Sequence, residues 1–519
     1  MVSTTHQGTR DIPLRFAKNL TNIVNKAWID GSFIESVSSI TQDLLNFWFN
    51  EAFCDTRNFN FHEGQKQAIL NTIYLHEVIG VNSVTDMYQS IYPELLEEMD
   101  LLDLDKDKYK HPKYAVKMAT GTGKTWVLHA LLIWQFLNAK SELESSGRYS
   151  KNFLLVAPGL IVYERLLDAF LGKEQEDGTR SFDDSDFKVF EKLFVPSAYK
   201  DIIFGFIQSN VARKDEIGSK VTGEGLIAIT NWHLLAGEEE KISDSSPIED
   251  PSAVVKDVLP ITPGKTAGNA LDSLDNQYLR GKEIEFLANL PDLVVFNDEA
   301  HHIHEVKKGG EIFEVQWQKS LTQISETKKE KFIQIDFSAT PYSVTGSGQK
   351  RTRHYFPYIV VDFDLKTAIR HGLVKTIALD RRKEVATIKL DFKAIREGKN
   401  VVGLSDGQKI MLRAGLQKLN ILEKEFVEFT VDDSGVSSKH PKMMVICEDT
   451  KVAPFVTDFL IKSEGLSDDD VMEIHSDRKG NIPQREWDET KQRLFNIDRH
   501  RSPRVIVSEI GRASCRERV

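Results

Sequence analysis

Short apolar runs alternate with longer amphipathic stretches over most of the chain. The runs NFLLVAPG, GLIAITN, LVVFNDEA and FIQIDFSAT have the length and composition of buried strands, and helix-like stretches separate them. Strands that alternate with helices predict a parallel sheet covered by helices. A second unit begins with the long helical stretch MLRAGLQKLNILEKEFVEFTV and continues with the strand KMMVICED. We therefore predict an α/β fold with two parallel-sheet domains in tandem.

The same pattern sets the expected domain boundaries. A leader, a first domain, a connector, a partial second domain and a tail are predicted at residues 1–60, 61–345, 346–405, 406–508 and 509–519. The leader contains an apolar helical stretch, SITQDLLNFWFNEAF, which we expect to dock on the first domain. Two polar stretches interrupt the first domain, and we interpret them as insertions on surface loops, near 170–190 and 237–282.

A glycine-containing loop connects a predicted strand to a predicted helix in KYAVKMATGTGKTWVLHALL. Glycine lets the backbone curl until several N–H groups point into one concavity, to which the helix N-terminus adds partial positive charge. This arrangement predicts a phosphate cradle for ATP, with Lys124 on the outer phosphates and Thr125 on the accompanying Mg²⁺. The alternative is a chance glycine-rich turn. The predicted ATP-binding residues of the loop are Ala119, Thr120, Gly121, Thr122, Gly123, Lys124 and Thr125.

Hydrolysis of a bound nucleotide requires a carboxylate for the metal and a group that positions water. In LVVFNDEAHHIHE, Asp298 follows an apolar strand and could hold Mg²⁺, while Glu299 could orient and deprotonate the attacking water. We therefore predict Lys124, Asp298 and Glu299 as the catalytic set. One alternative is a strand capped by acids. Another is a zinc site at His301, His302 and His304, which we disfavour because two of these are sequence neighbours and would point apart.

Two further segments carry polar side chains beside predicted elements. In QIDFSATPYS, Ser338 and Thr340 stand at a strand end, where hydroxyls could bond to the acidic turn around His301 and sense the γ-phosphate. Taken alone, that segment would only end a strand before a proline. In FHEGQKQAIL, Gln65 lies just ahead of a predicted helix. Its amide offers a donor and an acceptor, which suits the edge of adenine.

Composition limits the class of protein without changing this picture. A chain of 519 residues suggests about three domains, and its longest apolar runs are too short to span a bilayer. The N-terminus lacks a signal-peptide core, so we expect a cytoplasmic protein without a membrane partner. The three cysteines, Cys54, Cys447 and Cys515, are too few and too scattered for a disulfide framework. A net charge of −11 argues weakly against a wide DNA footprint.

The order and spacing of these motifs resemble superfamily 2 helicases and translocases. Gln65 matches the Q-motif, 118–125 motif I, LLVAPGLIVYERL motif Ia, DEAH motif II and SATP motif III, and AITNWHLL matches a further DNA-side motif. Met118 stands where the strict Walker pattern has glycine, and Ala-Thr-Gly-Thr-Gly-Lys-Thr is the tighter helicase form. Within the superfamily, over roughly 60–510, the chain looks most like the Res subunit of type III restriction enzymes. The pointers are this motif I, the doubled histidine in NDEAHH and the segment YFPYIVVDFDLKTAIRHGLVK.

The resemblance implies two RecA-like domains with ATP between them and DNA across their tops. It implies an ATP-dependent DNA translocase or helicase of a restriction system, acting on DNA that we expect to be duplex, with a methyltransferase subunit as a possible partner. The residues that it assigns to DNA are Pro158, Gly159, Thr230 and Asn231. The alternatives are a helicase-like DNA-repair or RNA-processing ATPase, and a nucleotide-gated interaction module. The nuclease constellation that follows the motor in that family is not found in this sequence.

The last residues depart from the family pattern. SPRVIVSE resembles the motif V strand, but IGRASCRERV follows it directly, whereas the family places some tens of residues between motifs V and VI. We therefore expect 509–519 to be a non-native tail, the native chain to continue beyond residue 508, and the second RecA-like domain to be incomplete. The alternative is a natural C-terminus in which Arg512 or Arg516 serves as the arginine finger.

Overall fold

The computed structural model describes most of the chain and divides it into two compact units, Met1–Thr376 and Ile377–Val519. The described residues are 11–99, 101–141, 148–158, 160–175, 178–231, 283–302, 305–308, 311–314, 316–328, 331–345, 352–375, 390–398, 400–430, 439–474, 493–494 and 497–509. The predicted insertion near 237–282 lies outside these residues, and so does the predicted tail, 509–519, apart from its first residue, Glu509.

A parallel sheet of seven strands organises the first unit. The strands of this unit in chain order are β1 (Lys113–Met118), β2 (Asn152–Ala157), β3 (Val211–Ala212), β4 (Leu226–Asn231), β5 (Leu293–Asn297), β6 (Glu305–Lys308), β7 (Glu311–Glu314), β8 (Phe332–Ser338), β9 (Tyr342–Thr345), β10 (Thr352–Tyr355) and β11 (Ile359–Phe363). The sheet has the order β11–β1–β8–β5–β2–β4–β3, while β6–β7 and β9–β10 are separate antiparallel pairs. Strand β8 therefore lies between β1 and β5, and the carboxyl ends of these three strands meet at one edge.

The core strands are apolar along their whole length because helices cover both faces of the sheet. Every residue of β1, β2, β4, β5 and β8 is buried. The helices of eight or more residues in this unit are α1 (Ile12–Asp30), α2 (Ser39–Phe49), α3 (Glu63–Ile73), α4 (Val84–Ile91), α5 (Lys124–Ser141), α6 (Leu160–Leu171), α7 (Lys200–Asn210) and α8 (Gln316–Lys328). Shorter helices are Ser32–Glu35, Glu51–Cys54, Leu101–Leu104, Asp186–Val189, Glu191–Phe194 and Leu365–Arg370.

The segment expected to connect the domains, 346–405, contributes a strand to the first sheet. Strand β11 pairs in parallel with β1, and Ile359 and Val360 are fully buried. Helices α1 and α3 both pack against β11. The expectation of a connector is therefore wrong for this part of the segment, because its apolar side chains complete the core beside β1.

The acidic segment near 170–190 is also more than a surface loop. Arg180 lies in ion pairs with Glu164, Asp168 and Glu174. The next residues form the short helix Asp186–Val189, whose Phe187 is fully buried among aromatic side chains of the main core. This acidic stretch therefore contains an apolar side chain that packs into the core. The interpretation of a surface insertion is wrong for the short helix that carries it.

His129, on α5, lies in an aromatic pocket formed partly by this segment. Its ring centroid lies 4.4 Å from that of Phe187 and 5.4 Å from that of Phe194. Neither ring nitrogen has a hydrogen-bond partner among the described residues. Burial lowers the pKa of His129 from 6.5 to about 3, so the folded protein holds this ring neutral.

We expect His129→Leu to make the first unit less sensitive to acid. The pKa of His129 is lower in the folded state than in the unfolded state, so its contribution to stability is complete above pH 6.5 and is lost as the pH falls toward 3. Leucine has a similar size and does not titrate. The drop in the unfolding midpoint between about pH 7.5 and about pH 5 should be smaller in the variant.

The matched control is His354→Leu, at an exposed histidine of the same unit. This control should lose as much stability in acid as the parent protein. An unchanged acid dependence in His129→Leu would contradict the prediction.

The second unit has a smaller parallel sheet with the order β14–β16–β15. Its strands are β12 (Ile395–Glu397), β13 (Asn400–Gly403), β14 (Met443–Cys447), β15 (Val471–Glu473) and β16 (Val505–Glu509), and its long helices are α9 (Asp406–Thr430) and α10 (Ala453–Lys462). Its apolar core joins Leu416 of α9, Leu460 of α10 and Val505 of β16. With two units built on parallel sheets, the prediction of a RecA-like α/β fold is confirmed.

Two other features concern the class of protein, namely its helices and its cysteines. Within the described part of the chain, no helix combines the length and apolar character needed to cross a membrane. Cys54 and Cys447 are free thiols, the second of them buried. Cys515 lies outside the described residues.

Candidate active site

The glycine-containing loop between β1 and α5 has the backbone that a phosphate cradle requires. Gly121 and Gly123 have φ angles of 81° and 73°, in the left-handed region that favours glycine. A Cβ at Gly121 would meet no atom within 4 Å, so the loop is open there. A Cβ at Gly123 would lie 2.4 Å from Nε2 of Gln65, so a side chain at this position would displace that contact.

Two hydrogen bonds of Ala119, one within the loop and one to β11, hold the base of the loop. The Thr122 hydroxyl donates to the Ala119 carbonyl at 2.6 Å, and the Ala119 N–H donates to the Phe363 carbonyl at 2.9 Å. Thr120 and Gly121, at the tip, are exposed, and Thr125 is half-buried. The loop is therefore fixed at its base and accessible at its tip, as a binding loop should be.

Lys124 and Glu299 form an ion pair across the site. Nζ of Lys124, the first residue of α5, lies 3.2 Å from Oε1 of Glu299. Glu299 has a φ of 47°, uncommon for a residue with a side chain, in the turn directly after β5. Its N–H donates to Oδ1 of Asp298 at 3.0 Å. The two acids of motif II thus face the lysine of motif I at the carboxyl edge of the sheet.

The electrostatics of Asp298 favour a cation at this edge. Burial and, second, the neighbouring Glu299 raise the pKa of the Asp298 carboxyl, while Lys124 and Arg165 act in the opposite direction. Removal from solvent and a like charge both disfavour the ionised form, and a nearby positive charge reverses this. A divalent cation bound here would therefore stabilise the ionised carboxylate.

His301 connects the motif II turn to the end of β8. Its Nδ1 lies 2.9 Å from the Ser338 hydroxyl and 3.5 Å from Oε2 of Glu299. The Thr340 N–H donates to the same Ser338 oxygen at 3.1 Å. The three residues predicted to couple the site, His301, Ser338 and Thr340, are therefore brought together beside Glu299.

A buried polar network behind these residues was missed from the sequence. Asp336 of β8, which is 1% exposed, accepts hydrogen bonds from Asn297 at 2.7 Å, Gln334 at 3.0 Å and the Tyr358 hydroxyl at 2.8 Å. Asn297 directly precedes Asp298, so the network holds the end of β5 against β8. The sequence signal that could have revealed this network is the set of polar residues at alternate positions of the buried run FIQIDFS.

Gln65 uses its amide within the chain. It lies in the first turn of α3 instead of ahead of the helix, and it is 2% exposed. Its Oε1 accepts from the His62 N–H at 3.1 Å, and its Nε2 donates to the Gly123 carbonyl at 3.0 Å. In this conformation the amide therefore binds the phosphate loop, and one N–H of Nε2 and one lone pair of Oε1 remain for the predicted contact with adenine.

The predicted DNA-binding residues lie further along the same carboxyl edge of the sheet. Pro158 follows β2 and Asn231 ends β4, and these two strands are paired in register. Thr230 and Asn231 are 1% and 4% exposed. The Thr230 hydroxyl donates to the Asn231 carbonyl at 3.3 Å. The Thr230 hydroxyl is thus buried and bonded to the neighbouring backbone, and Gly159 lies outside the described residues.

Most side chains of the alternative zinc site lie outside the part of the chain that the structure describes. His304 is not among the described residues, and the structure describes the backbone of His302 but not its side chain. Among the residues that are described, no three or more His, Cys, Asp or Glu side chains are grouped to hold a metal ion.

Three solved structures are similar to most of this chain at low sequence identity. An ATP-dependent type ISP restriction-modification enzyme, LlaBIII, bound to DNA matches with 11% identity, a TM-score of 0.36 and coverage of 87% of this chain and 24% of that chain. Dbp5 of S. cerevisiae, bound to RNA and ADP BeF3, matches with 12% identity, a TM-score of 0.31 and coverage of 85% and 73%. T4 UvsW matches with 12% identity, a TM-score of 0.23 and coverage of 88% and 58%.

This chain thus spans about a quarter of the length of the LlaBIII chain. None of the curated proteins matches it significantly. The fold and the site together define a helicase-type protein of superfamily 2. The family model for the type III restriction enzyme Res subunit matches residues 58–343, more than half of the chain, and the chain belongs to that family.

Proposed function

We propose that the chain is the ATP-dependent DNA translocase or helicase motor of a type III restriction-like enzyme. The observation that carries this proposal is the 3.2 Å contact between Lys124 and Glu299, beside a glycine loop that is open at its tip. A cation for phosphates and a carboxylate for water at one edge of a parallel sheet suit phosphoryl transfer. Family membership supports the choice of a motor over other ATPases.

The described residues fit Mg²⁺ and ATP. The exposed backbone at Thr120 and Gly121 could surround phosphate oxygens, and Lys124 could reach the outer phosphates from the start of α5. Thr125 and Asp298 would hold Mg²⁺, whose charge would offset the raised pKa of the Asp298 carboxyl. When bound, the metal ion would neutralise charge that develops on the phosphates.

Glu299 is the proposed general base. Its carboxylate is paired with Lys124, so a phosphate that attracts this lysine would release Glu299 to accept a proton from water. His301, 3.5 Å from Glu299, would sense that change and pass it to Ser338. Nucleotide binding would in this way alter the end of β8.

The polymer and the partner are part of the same proposal. We propose duplex DNA as the activating polymer, and a methyltransferase subunit as the component that recognises the target sequence. Pro158 and the backbone at Asn231, at the ends of neighbouring strands, are the described residues that we propose to contact DNA. Phosphate contacts through backbone N–H groups need little net positive charge, which is compatible with a net charge of −11.

The test is the ATPase rate of the full chain with duplex DNA, with single-stranded RNA and without nucleic acid. We expect duplex DNA to raise the rate and RNA to leave it unchanged. Stimulation by RNA alone would replace the restriction motor with an RNA-processing ATPase. A rate that neither polymer changes would favour a nucleotide-gated interaction module.

Ser338→Ala should lower stimulation by DNA without weakening ATP binding. The substitution removes the hydroxyl that lies 2.9 Å from Nδ1 of His301, while Lys124 and Glu299 remain. The loss of about one hydrogen bond should reduce the stimulated rate by about threefold to tenfold. Steady-state rates with and without DNA, together with the KM for ATP, measure this effect. An unchanged stimulated rate, or an equal fall with and without DNA, would contradict the coupling role.

A further inference from the structure

His62 lies directly before α3 and contacts the phosphate loop 60 residues further along the chain. One ring nitrogen, Nδ1, accepts from the Gly64 N–H at 3.1 Å and caps the helix. The other, Nε2, lies 2.8 Å from the Thr122 carbonyl. Burial lowers the pKa of His62, so the ring is neutral near pH 7. Because Nδ1 accepts, Nε2 carries the proton and donates to Thr122.

This bond closes a ring of contacts around the loop. The His62 ring packs against the Phe363 ring with centroids 5.2 Å apart. The Phe363 carbonyl accepts from Ala119, and the Ala119 carbonyl accepts from the Thr122 hydroxyl. A Cβ at Gly64 would lie 2.5 Å from Cγ of Phe363, so the start of α3 is packed tightly against that ring. His62 is thus the link that joins Thr122 back to Phe363.

The directions of these hydrogen bonds indicate how the ring of contacts affects phosphate binding. His62 holds the Thr122 carbonyl toward α3, and Gln65 binds the Gly123 carbonyl, which also accepts from the Trp126 N–H in the first turn of α5. A carbonyl oxygen turned toward bound phosphate would repel it, whereas N–H groups attract it. Holding the Thr122 oxygen on the α3 side therefore favours the N–H-lined form of the cradle before nucleotide arrives.

We propose that His62 is a positioning residue for phosphate binding, which holds the loop through the Thr122 carbonyl separately from its role as the cap of α3. This inference rests on the proposed nucleotide binding at the loop. It assigns to His62 an effect on nucleotide affinity that a helix cap alone would not have.

Two substitutions separate the two bonds. His62→Asn keeps an acceptor near the position of Nδ1, and asparagine is a favourable N-cap, but its side chain is too short to reach Thr122. His62→Gln places an amide nitrogen near the position of Nε2, and glutamine is a poorer cap. The first variant should therefore lose the loop bond and keep the cap, and the second should do the reverse.

The experiment measures the dissociation constant for ADP by calorimetry and the unfolding midpoint without nucleotide, using the full chain. We expect His62→Asn to bind ADP about threefold to tenfold more weakly at a nearly unchanged midpoint. We expect His62→Gln to bind ADP like the parent protein at a lower midpoint. Parent-like affinity in His62→Asn, or a loss of affinity that follows the midpoint in both variants, would overturn the proposal.

A Lys124→Ala protein distinguishes failure of this inference from failure of the proposed function. If Lys124→Ala weakens ADP binding and His62→Asn does not, the nucleotide site stands and the role of His62 is wrong. If Lys124→Ala leaves ADP binding unchanged, the nucleotide does not bind at this loop and both proposals fail.

Discussion

Glu299→Gln should lower the turnover of ATP by about 10²- to 10⁴-fold, the usual contribution of a general base. Glutamine has the shape of glutamate and can occupy the same turn, where φ is 47°, but it cannot accept a proton from water. Nucleotide binding should be retained, because the substitution also removes the charge that pairs with Lys124 at 3.2 Å. A lysine without this competing partner is more available to phosphate.

The measurements are the single-turnover rate of ATP hydrolysis and the dissociation constant for ATP. The matched control is Glu224→Gln, at an exposed acid on another surface of the first unit, paired with Lys140 and Lys151. This control should hydrolyse ATP like the parent protein. Turnover within about threefold of the parent in Glu299→Gln would exclude Glu299 as the base.

Lys124→Ala should have the second large effect, on binding as well as on turnover. The ammonium group is the only charge in the glycine loop, and its side chain is 8% exposed. Losing a charge-assisted hydrogen bond to phosphate should weaken ATP binding by about 10- to 100-fold. Turnover should fall further, because the same charge also stabilises the transition state.

A second consequence of Lys124→Ala concerns the metal ion. Lys124 is one of the groups that lower the pKa of the Asp298 carboxyl, so its removal should raise that pKa further. Because a protonated carboxyl does not bind Mg²⁺, residual binding of Mg²⁺ should then require a higher pH than in the parent protein.

Lys140→Ala tests whether these effects are specific to position 124. Lys140 lies near the other end of α5 and pairs with Glu224 on the surface. Its loss should leave ATP binding and turnover unchanged. If Lys124→Ala and Lys140→Ala bind ATP equally well, the loop is not a phosphate cradle.

Local sequence was sufficient for the motifs and for the class of fold. A glycine with positive φ, a lysine at the start of α5 and acids after β5 all follow from residues that are close in the chain. The alternation of apolar runs with helical stretches was enough for a parallel sheet, because each run of β1, β2, β4, β5 and β8 had to be buried on both faces. The same information located Asp298 and Glu299 at a strand end.

Predictions that depended on distant contacts were the ones that failed. The segment 346–405 has no local feature that distinguishes a connector from an added strand, and only pairing with β1 identifies β11. The acids near 170–190 suggested a surface loop, but Phe187 meets a pocket formed by other elements. Likewise, hydrogen-bonding capacity alone does not identify the partners that Gln65 has within the chain, His62 and Gly123.

The sequence by itself therefore determined the chemistry at each strand end, and the tertiary structure decided which strand ends meet. Strand β8 comes after β5 in the chain but lies between β1 and β5 in the sheet. This order brings Ser338 to His301, and the pairing of β11 with β1 brings Phe363 to the phosphate loop. His62 reaches the same loop from its position before α3. The physical reason is that side-chain type and spacing fix local conformation, whereas strand order is set by the burial of whole surfaces, which depends on all elements at once.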